Sequence, residues 1–281
     1  MSAENNEPKK RVEIISIGNE LLIGKTPNTN AHWISKRITS LGLTVSLITI
    51  VQDEVDEISA VVKAAIARNA DFIITTGGLG PTFDDKTLEG IAEAFKSKLH
   101  TNEDALKMVE KKYRQYAEEM DREKLELTPA RTKMAMIPEL AEPLPNPVGT
   151  APGIALKKGK IFLFALPGVP SEMKAIFENS VAPSLKAAGS RFFFETSLYV
   201  SGIMESEIAP LIDEVMHDNP YIYIKSHPKG SEKRPKVELH ISTIGKETNS
   251  AKRRVGRALV QISEVIHAKG GKARIRKAAD P

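Results

Sequence analysis

Apolar and polar positions alternate in blocks along the chain. Residues 12–17 form an apolar run closed by Gly18, and after Asn28-Thr29-Asn30 the residues Ile34, Ile38 and Leu41 recur at helical spacing before Gly42. Strand, loop, helix and glycine stop is the order this predicts. Residues 43–51 then read as a β-branched strand, Gln52-Asp53-Glu54 as a loop, and Ile58, Val61, Val62, Ala65 and Ile66 as the buried face of a second helix. Asp56 and Glu57 suit the positive end of that helix. Residues 72–75 read as a third strand, and Leu88, Ile91, Ala92 and Phe95 as the inward face of the helix that follows Asp85. Such alternation predicts parallel strands with crossover helices, hence an α/β three-layer sandwich with a mostly parallel sheet.

The pattern then loosens. Residues 101–122 are heavily charged, with Leu106, Val109, Tyr113, Tyr116 and Met120 in a helical stripe. Pro138, Pro143, Pro145 and Pro147 crowd the segment 129–152, which predicts a shaped surface loop instead of a long regular element. Residues 161–166 resume as a buried strand, leading through Pro167 to Glu172 into a helix that ends near Leu185. Beyond Gly189 the segments 192–200, 205–216, 221–226, 236–243 and 250–266 read in order as strand, helix, strand, strand and helix. The domains expected are 1–188, a small α+β subdomain at 189–270, and a basic tail at 271–281.

Composition narrows the class. No apolar run among the 281 residues approaches the roughly 18 needed to span a bilayer, and the first ten residues carry no secretory h-region. A cytoplasmic protein without a membrane partner is the expectation. The absence of cysteine rules out disulfides, thiolate metal sites and cysteine nucleophiles. The small positive excess, +4, gathers at Lys9, Lys10 and Arg11 and at Lys269, Lys272, Arg274, Arg276 and Lys277. No aromatic residues interleave with these lysines and arginines, so they read as solvated tails and nucleic acid is not an expected partner.

Candidate chemistry collects at strand ends. In an open parallel sheet, ligands bind beyond the carboxyl ends of the strands, and four loops qualify: Gly18-Asn19-Glu20, Gln52-Asp53-Glu54, 77–85 and 167–172. Gly77, Gly78 and Gly80 let backbone N–H groups approach an anion, while Asp84 and Asp85 offer hard oxygen ligands for a divalent cation. Asp53 reads either as a further carboxylate on that cation or as the cap of the helix near Val55. Glu20 reads as a ligand contact or a solvated turn group. Ser171 with Gly168 could present donors to a phosphate, or Ser171 could cap its own helix. Gly149, Thr150 and Gly153 form a backbone-lined turn that serves a ligand or only the loop, and Lys133 reads as a positive charge for the ligand or as a snorkelling surface lysine. Six scattered histidines and the lack of a Gly-Lys-Ser/Thr loop leave no competing constellation.

The runs Ser16-Ile-Gly-Asn-Glu-Leu-Leu-Ile-Gly24, Asn28-Thr-Asn30, 75–85, 146–153 and Leu166-Pro-Gly-Val-Pro-Ser-Glu-Met173 resemble the CinA family, whose amino-terminal domain is of the MoaB/Mog-like, molybdopterin-binding type. The segment after Gly189, with Ser201-Gly-Ile-Met-Glu-Ser206, is similar to the family's second subdomain. This resemblance implies a pyrophosphatase acting on ADP-ribose or a related nucleotide, releasing AMP and ribose 5-phosphate, with Mg²⁺ or Co²⁺ and K⁺ as ions. It also implies, as alternatives, molybdopterin binding, adenylyl transfer to molybdopterin, or nucleotide binding without turnover. The family's key carboxylates fall on Asp53 and Asp85, with Asp84 beside them as a metal ligand, and Asn30 and Pro167 join the expected ligand-binding set. A homodimer is implied as well. Lys86 departs from the apolar residue usual before Thr87. The family's carboxyl-terminal nicotinamide mononucleotide deamidase domain is not expected here.

Overall fold

A computed structural model describes residues 10–121, 126–189, 192–230, 234–245 and 247–275. They fall into two compact units, one within Met1–Thr39 and Leu43–Gly189, the other within Ser40–Gly42 and Ser190–Pro281.

The first unit runs β1 (Arg11–Ile17), a single turn α1 (Asn19–Leu22), α2 (Thr29–Ser40), β2 (Thr44–Val51), α3 (Val55–Ala67), β3 (Phe72–Thr76) and α4 (Thr87–Phe95). It continues through β4 (Leu99–Thr101), α5 (Glu103–Glu119), α6 (Pro129–Lys133), β5 (Met136–Pro138), β6 (Ala141–Leu144), β7 (Gly153–Lys158), β8 (Ile161–Leu166), α7 (Pro170–Ile176) and α8 (Ala182–Ala188). One sheet has the order β2-β1-β3-β8-β7-β6. Its first four strands are parallel, and β7 and β6 are antiparallel to their neighbours. The mostly parallel sheet is therefore as the pattern predicts. Ile15, Ile17 and Ile73 pack with Ile58 and Val62 of α3 and Ile91 of α4. Ile14 and Ile74, turned to the other face by the two-residue period of a strand, are fully buried too.

The proline-rich segment corrects the reading of 129–152 as surface loop, because it holds α6, β5 and β6. Pro143 is tolerated in β6 because that strand is the sheet's edge, where a missing N–H leaves no neighbour unpaired. Between α7 and α8 the helix widens into a π turn at Phe177–Val181. Pro183, with no N–H to donate, accounts for the missing α-type bond there.

The second unit runs β9 (Phe192–Ser201), α9 (Glu205–Asp218), β10 (Ile222–Pro228), β11 (Lys236–Gly245), α10 (Thr248–Ala268) and β12 (Lys272–Ile275), with sheet order β10-β11-β9-β12, all antiparallel. Leu198, Val200, Leu239 and Ile241 pack under Ile208 and Val215 of α9 and Val255 and Ile262 of α10. The supposed basic tail starts as strand: Lys272–Ile275 pairs with β9. Lys9, Arg276 and Lys277 lie outside the described residues. No helix among the described residues is long and apolar enough to cross a membrane.

Candidate functional site

The chain leaves β1 for β2 on one side and returns to β3 on the other, so the carboxyl ends of β1 and β3 flank the switch point of the sheet. A crevice must open there, because the two following loops diverge. An open cleft of about 420 Å³ occupies it, lined among others by Glu20, Asn28, Asn30, Thr76, Gly77 and Gly168.

Glycine is required at its floor. Gly77 and Gly78 have φ of 110° and 64°. A Cβ on Gly77 would stand 2.1 Å from the Ile17 carbonyl oxygen, and one on Gly78 2.3 Å from Thr87 Oγ1. Thr87 fixes the turn by donating its hydroxyl to the Gly77 carbonyl at 2.8 Å. Asn30 then ties the wall together, its Nδ2 donating to Thr76 Oγ1 at 3.0 Å and to the Gly168 carbonyl at 2.8 Å. The Thr76 hydroxyl donates to the Pro167 carbonyl at 2.9 Å. Asn30 Oδ1 is buried with no hydrogen-bond partner, an orphaned acceptor beside the cleft. Asn28 Oδ1 accepts from Ala31 N–H at 3.2 Å and so caps α2.

The acidic loops lie beside this cleft: Glu20 lines it, whereas Asp53, Asp84 and Asp85 are not among its lining residues. Asp53 does not cap α3: the N-cap is Glu54, without a side-chain cap bond, and Asp53 Oδ2 instead accepts the Asn19 N–H at 2.7 Å. Burial holds the Asp53 carboxyl above the usual range; the Asn19 N–H opposes this, and the negative charges of Glu20, Asp84 and Asp85 reinforce it. Asp84 is held below the usual range by the Thr82 hydroxyl and then by its own backbone amide, with the charges of Lys133 and Lys86 adding to the effect. Thr82 Oγ1 lies 2.5 Å from both Asp84 Oδ1 and Asp85 Oδ2, and Thr82 N–H donates to Asp85 Oδ2 at 2.8 Å. One hydroxyl proton cannot serve both carboxylates, so at any moment it donates to one of them. Lys86 bonds Glu54 at 2.8 Å, which gives the unusual lysine the work of tying the loop after β3 to that after β2. The donors are all hard oxygens, which suits a divalent cation. Among the described residues no three His, Asp or Glu side chains form a metal-holding group, so Asp53, Asp84 and Asp85 are neighbours on a rim rather than a finished cage.

A second cleft of about 330 Å³ lies along the same glycine loop, lined by Gly78, Gly80, Asp85, Leu88, Lys133 and Met136 among others. Lys133 lines this cleft, and its Nζ donates to the Thr82 carbonyl at 2.8 Å. A Cβ on Gly80 would sit 2.6 Å from Asp85 Oδ2.

Other expected contacts line neither cleft. A Cβ on Gly149 would fall 2.0 Å from Glu172 Cδ, and one on Gly153 2.9 Å from the Ala165 carbonyl, so both glycines serve packing. Thr150 Oγ1 faces Met134 Sδ at 3.8 Å. Ser171 is neither cap nor lining: Val169 is the N-cap of α7, and it is Pro170 that borders the first cleft. Sequence reasoning missed Thr76, Asn146 and Glu172. Asn146 organises its loop by accepting from Gly149 N–H at 2.8 Å and donating to Glu172 Oε2 at 2.7 Å. An Asn-Pro pair before glycine was the available signal.

Residues 13–187 match the model of a family described as "Probable molybdopterin binding domain". The crystal structure of CinA from Thermoplasma acidophilum, described as of unknown function, is 41% identical, with a TM-score of 0.57, covering 63% of this chain and 99% of that one. A protein of Caldivirga maquilingensis is 45% identical over 254 residues, 90% of this chain and 95% of its own. Protein PAE0875 of Pyrobaculum aerophilum is 46% identical over 262 residues, 92% of this chain and 95% of its own. Motifs, fold and similarity agree: the chain belongs to the probable molybdopterin binding domain family, as a CinA-like member.

Proposed function

We propose that the crevice between the loops after β1, β3 and β8 binds a pterin or nucleotide through its phosphate groups, a molybdopterin-type ligand first among them. The observation that carries this reading is the left-handed Gly77-Gly78 turn at the switch point of the sheet, with Gly168 across from it, inside a domain of the molybdopterin-binding family. Backbone without Cβ gives an anion room beside N–H groups. Asp53, Asp84 and Asp85 would hold Mg²⁺ or Co²⁺, which would neutralise a diphosphate lying across the rim.

A second reading, hydrolysis of ADP-ribose or a related diphosphate, is favoured by the half-buried Asp53. Its raised proton affinity among like charges suits a base that takes a proton from an attacking water. Adenylyl transfer to a pterin would use the same groups with a ligand phosphate as the nucleophile. Calorimetric titration with molybdopterin, AMP, ATP and ADP-ribose, with and without Mg²⁺, followed by chromatography of the nucleotide mixtures and of ATP with molybdopterin, separates these. Mg²⁺-dependent binding is expected for wild type, weakened in Asp85→Ala. Release of AMP from ADP-ribose marks hydrolysis, and a pterin adenylate formed from ATP marks transfer. If neither molybdopterin nor any of the three nucleotides binds with Mg²⁺ present, the reading is wrong.

A further inference from the structure

The glycine loop after β3 serves two clefts: the first reaches Gly77 and the second begins at Gly78. One ligand can therefore lie across the loop, with its phosphates against the left-handed turn and its remainder in the second cleft. That cleft is lined by Leu79, Leu88, Leu99 and Met136, apolar side chains that offer nothing to a phosphate but suit a flat ring, and methionine sulfur packs well on aromatic systems. Two further charged side chains share this lining with Asp85. Lys133 spends one of its three N–H donors on the Thr82 carbonyl, so two remain. Glu89, in the first turn of α4, is half-buried, and among the described residues its side chain makes neither a hydrogen bond nor an ion pair. Asp85, in contrast, is already held by Thr82. A carboxylate bordering an apolar cleft is costly unless something donates to it.

We propose that the second cleft holds the heterocycle of the ligand, and that Glu89 and Lys133 select a ring whose edge carries a carbonyl, a ring N–H and an amino group side by side, the edge shared by pterins and guanine; this rests on the reading that the glycine turn binds the phosphates. Such an edge presents acceptor, donor and donor in sequence. An ammonium and a carboxylate supply the complement, one donor and two acceptors. Both bonds to Glu89 are charge-assisted and together bidentate, which makes them strong and directional. Adenine presents an amino donor beside a bare ring nitrogen, so the same carboxylate would face a lone pair and lose a bond.

Compounds that share a diphosphate and differ in the ring supply the test. GDP, 6-hydroxymethylpterin diphosphate, IDP and ADP are titrated calorimetrically into the full chain with Mg²⁺ present. GDP and the pterin diphosphate are expected to bind about tenfold or more tighter than ADP, and IDP, which lacks the amino group, to fall between. Glu89→Gln, whose fold is checked by its melting transition, is expected to abolish the preference without weakening ADP, because an amide offers the adenine nitrogen a donor and its amino group an acceptor. A wild type that binds ADP or IDP as tightly as GDP overturns the ring assignment and leaves the phosphate reading standing. So does a Glu89→Gln variant that keeps the full preference. If no diphosphate binds to wild type, the phosphate reading and this inference fall together. The order of GDP and the pterin diphosphate tells a guanine nucleotide site from a pterin site, and either order supports the proposed edge.

Discussion

The two ends of one parallel sheet treat carboxylates in opposite ways. At the amino edge, Glu13 is only 2% exposed yet fully paired, accepting from Arg68 Nη2 at 2.6 Å and Nε at 3.0 Å, with Arg11 3.9 Å away. Asp71 beside it accepts from Lys10 Nζ at 2.8 Å and from the Arg11 N–H at 2.9 Å. At the carboxyl edge Glu20, Asp53, Asp84 and Asp85 gather, while Lys86 bonds Glu54 and Lys133 bonds a carbonyl. Acids matched by cations hold a fold together. Acids left short of cations mark the place where a ligand brings its own.

Removing the matched cation should damage the fold itself. Arg68→Ala leaves the buried Glu13 with only Arg11, 3.9 Å away, and a loss of about 2 kcal/mol in unfolding free energy is expected, read from the urea midpoint. Ligand binding at the opposite edge should be unchanged wherever the variant is folded. A loss under about 1 kcal/mol would mean that the pair behaves as a surface ion pair and that the contrast between the edges is false.

Gly77→Ala comes next and acts at the other edge. The new methyl meets the Ile17 carbonyl at 2.1 Å on a backbone with φ of 110°, so a cost of about 2–3 kcal/mol and loss of nucleotide binding are expected. Gly24→Ala is its control. Gly24 also has positive φ, 71°, but nothing lies within 4 Å, so about 1 kcal/mol of strain is all that remains. Equal costs in the two variants would show that collision with β1 plays no part.

Local pattern disclosed what lies within one element. β1, β3 and β8 announce themselves because strands buried on both faces need unbroken apolar runs, and β2 does so through its β-branched residues although most of its side chains are exposed. β6 and β12 do not, since Ala-Glu-Pro-Leu and Lys-Ala-Arg-Ile are edge strands and carry the residues that protect an edge. Within the site the same division holds. Gly77, Gly78, Asp53 and Asp85 follow directly after strands and were legible by position. Thr76 matters through a bond to Pro167, 91 residues away, and Gly149 is a glycine because of Glu172; only the folded chain contains those reasons.

The smallest effect sharpens the comparison within the carboxyl edge itself. Asp53 binds its proton more tightly folded than unfolded, so its ionisation works against folding once the pH rises above the unfolded value of about 4 and through its raised folded value. Asp84 is the reverse: its folded carboxyl is held low, so it favours folding above the unfolded value, and that contribution fades as pH falls through the lowered one. At pH 7, Asp53→Asn should therefore melt slightly above wild type, since asparagine can still accept the Asn19 N–H, and Asp84→Asn slightly below. Melts repeated downward in pH should bring all three proteins together once both carboxyls are protonated. Mg²⁺ gives the contrast its functional meaning. A cation on the rim offsets the burial, and then the repulsion, that make the Asp53 charge costly, so the ion should raise the melting temperature of wild type more than that of Asp53→Asn. If the ion raises both equally, Asp53 is not among the groups that hold it, and its burial is a matter of packing against the loop at Asn19.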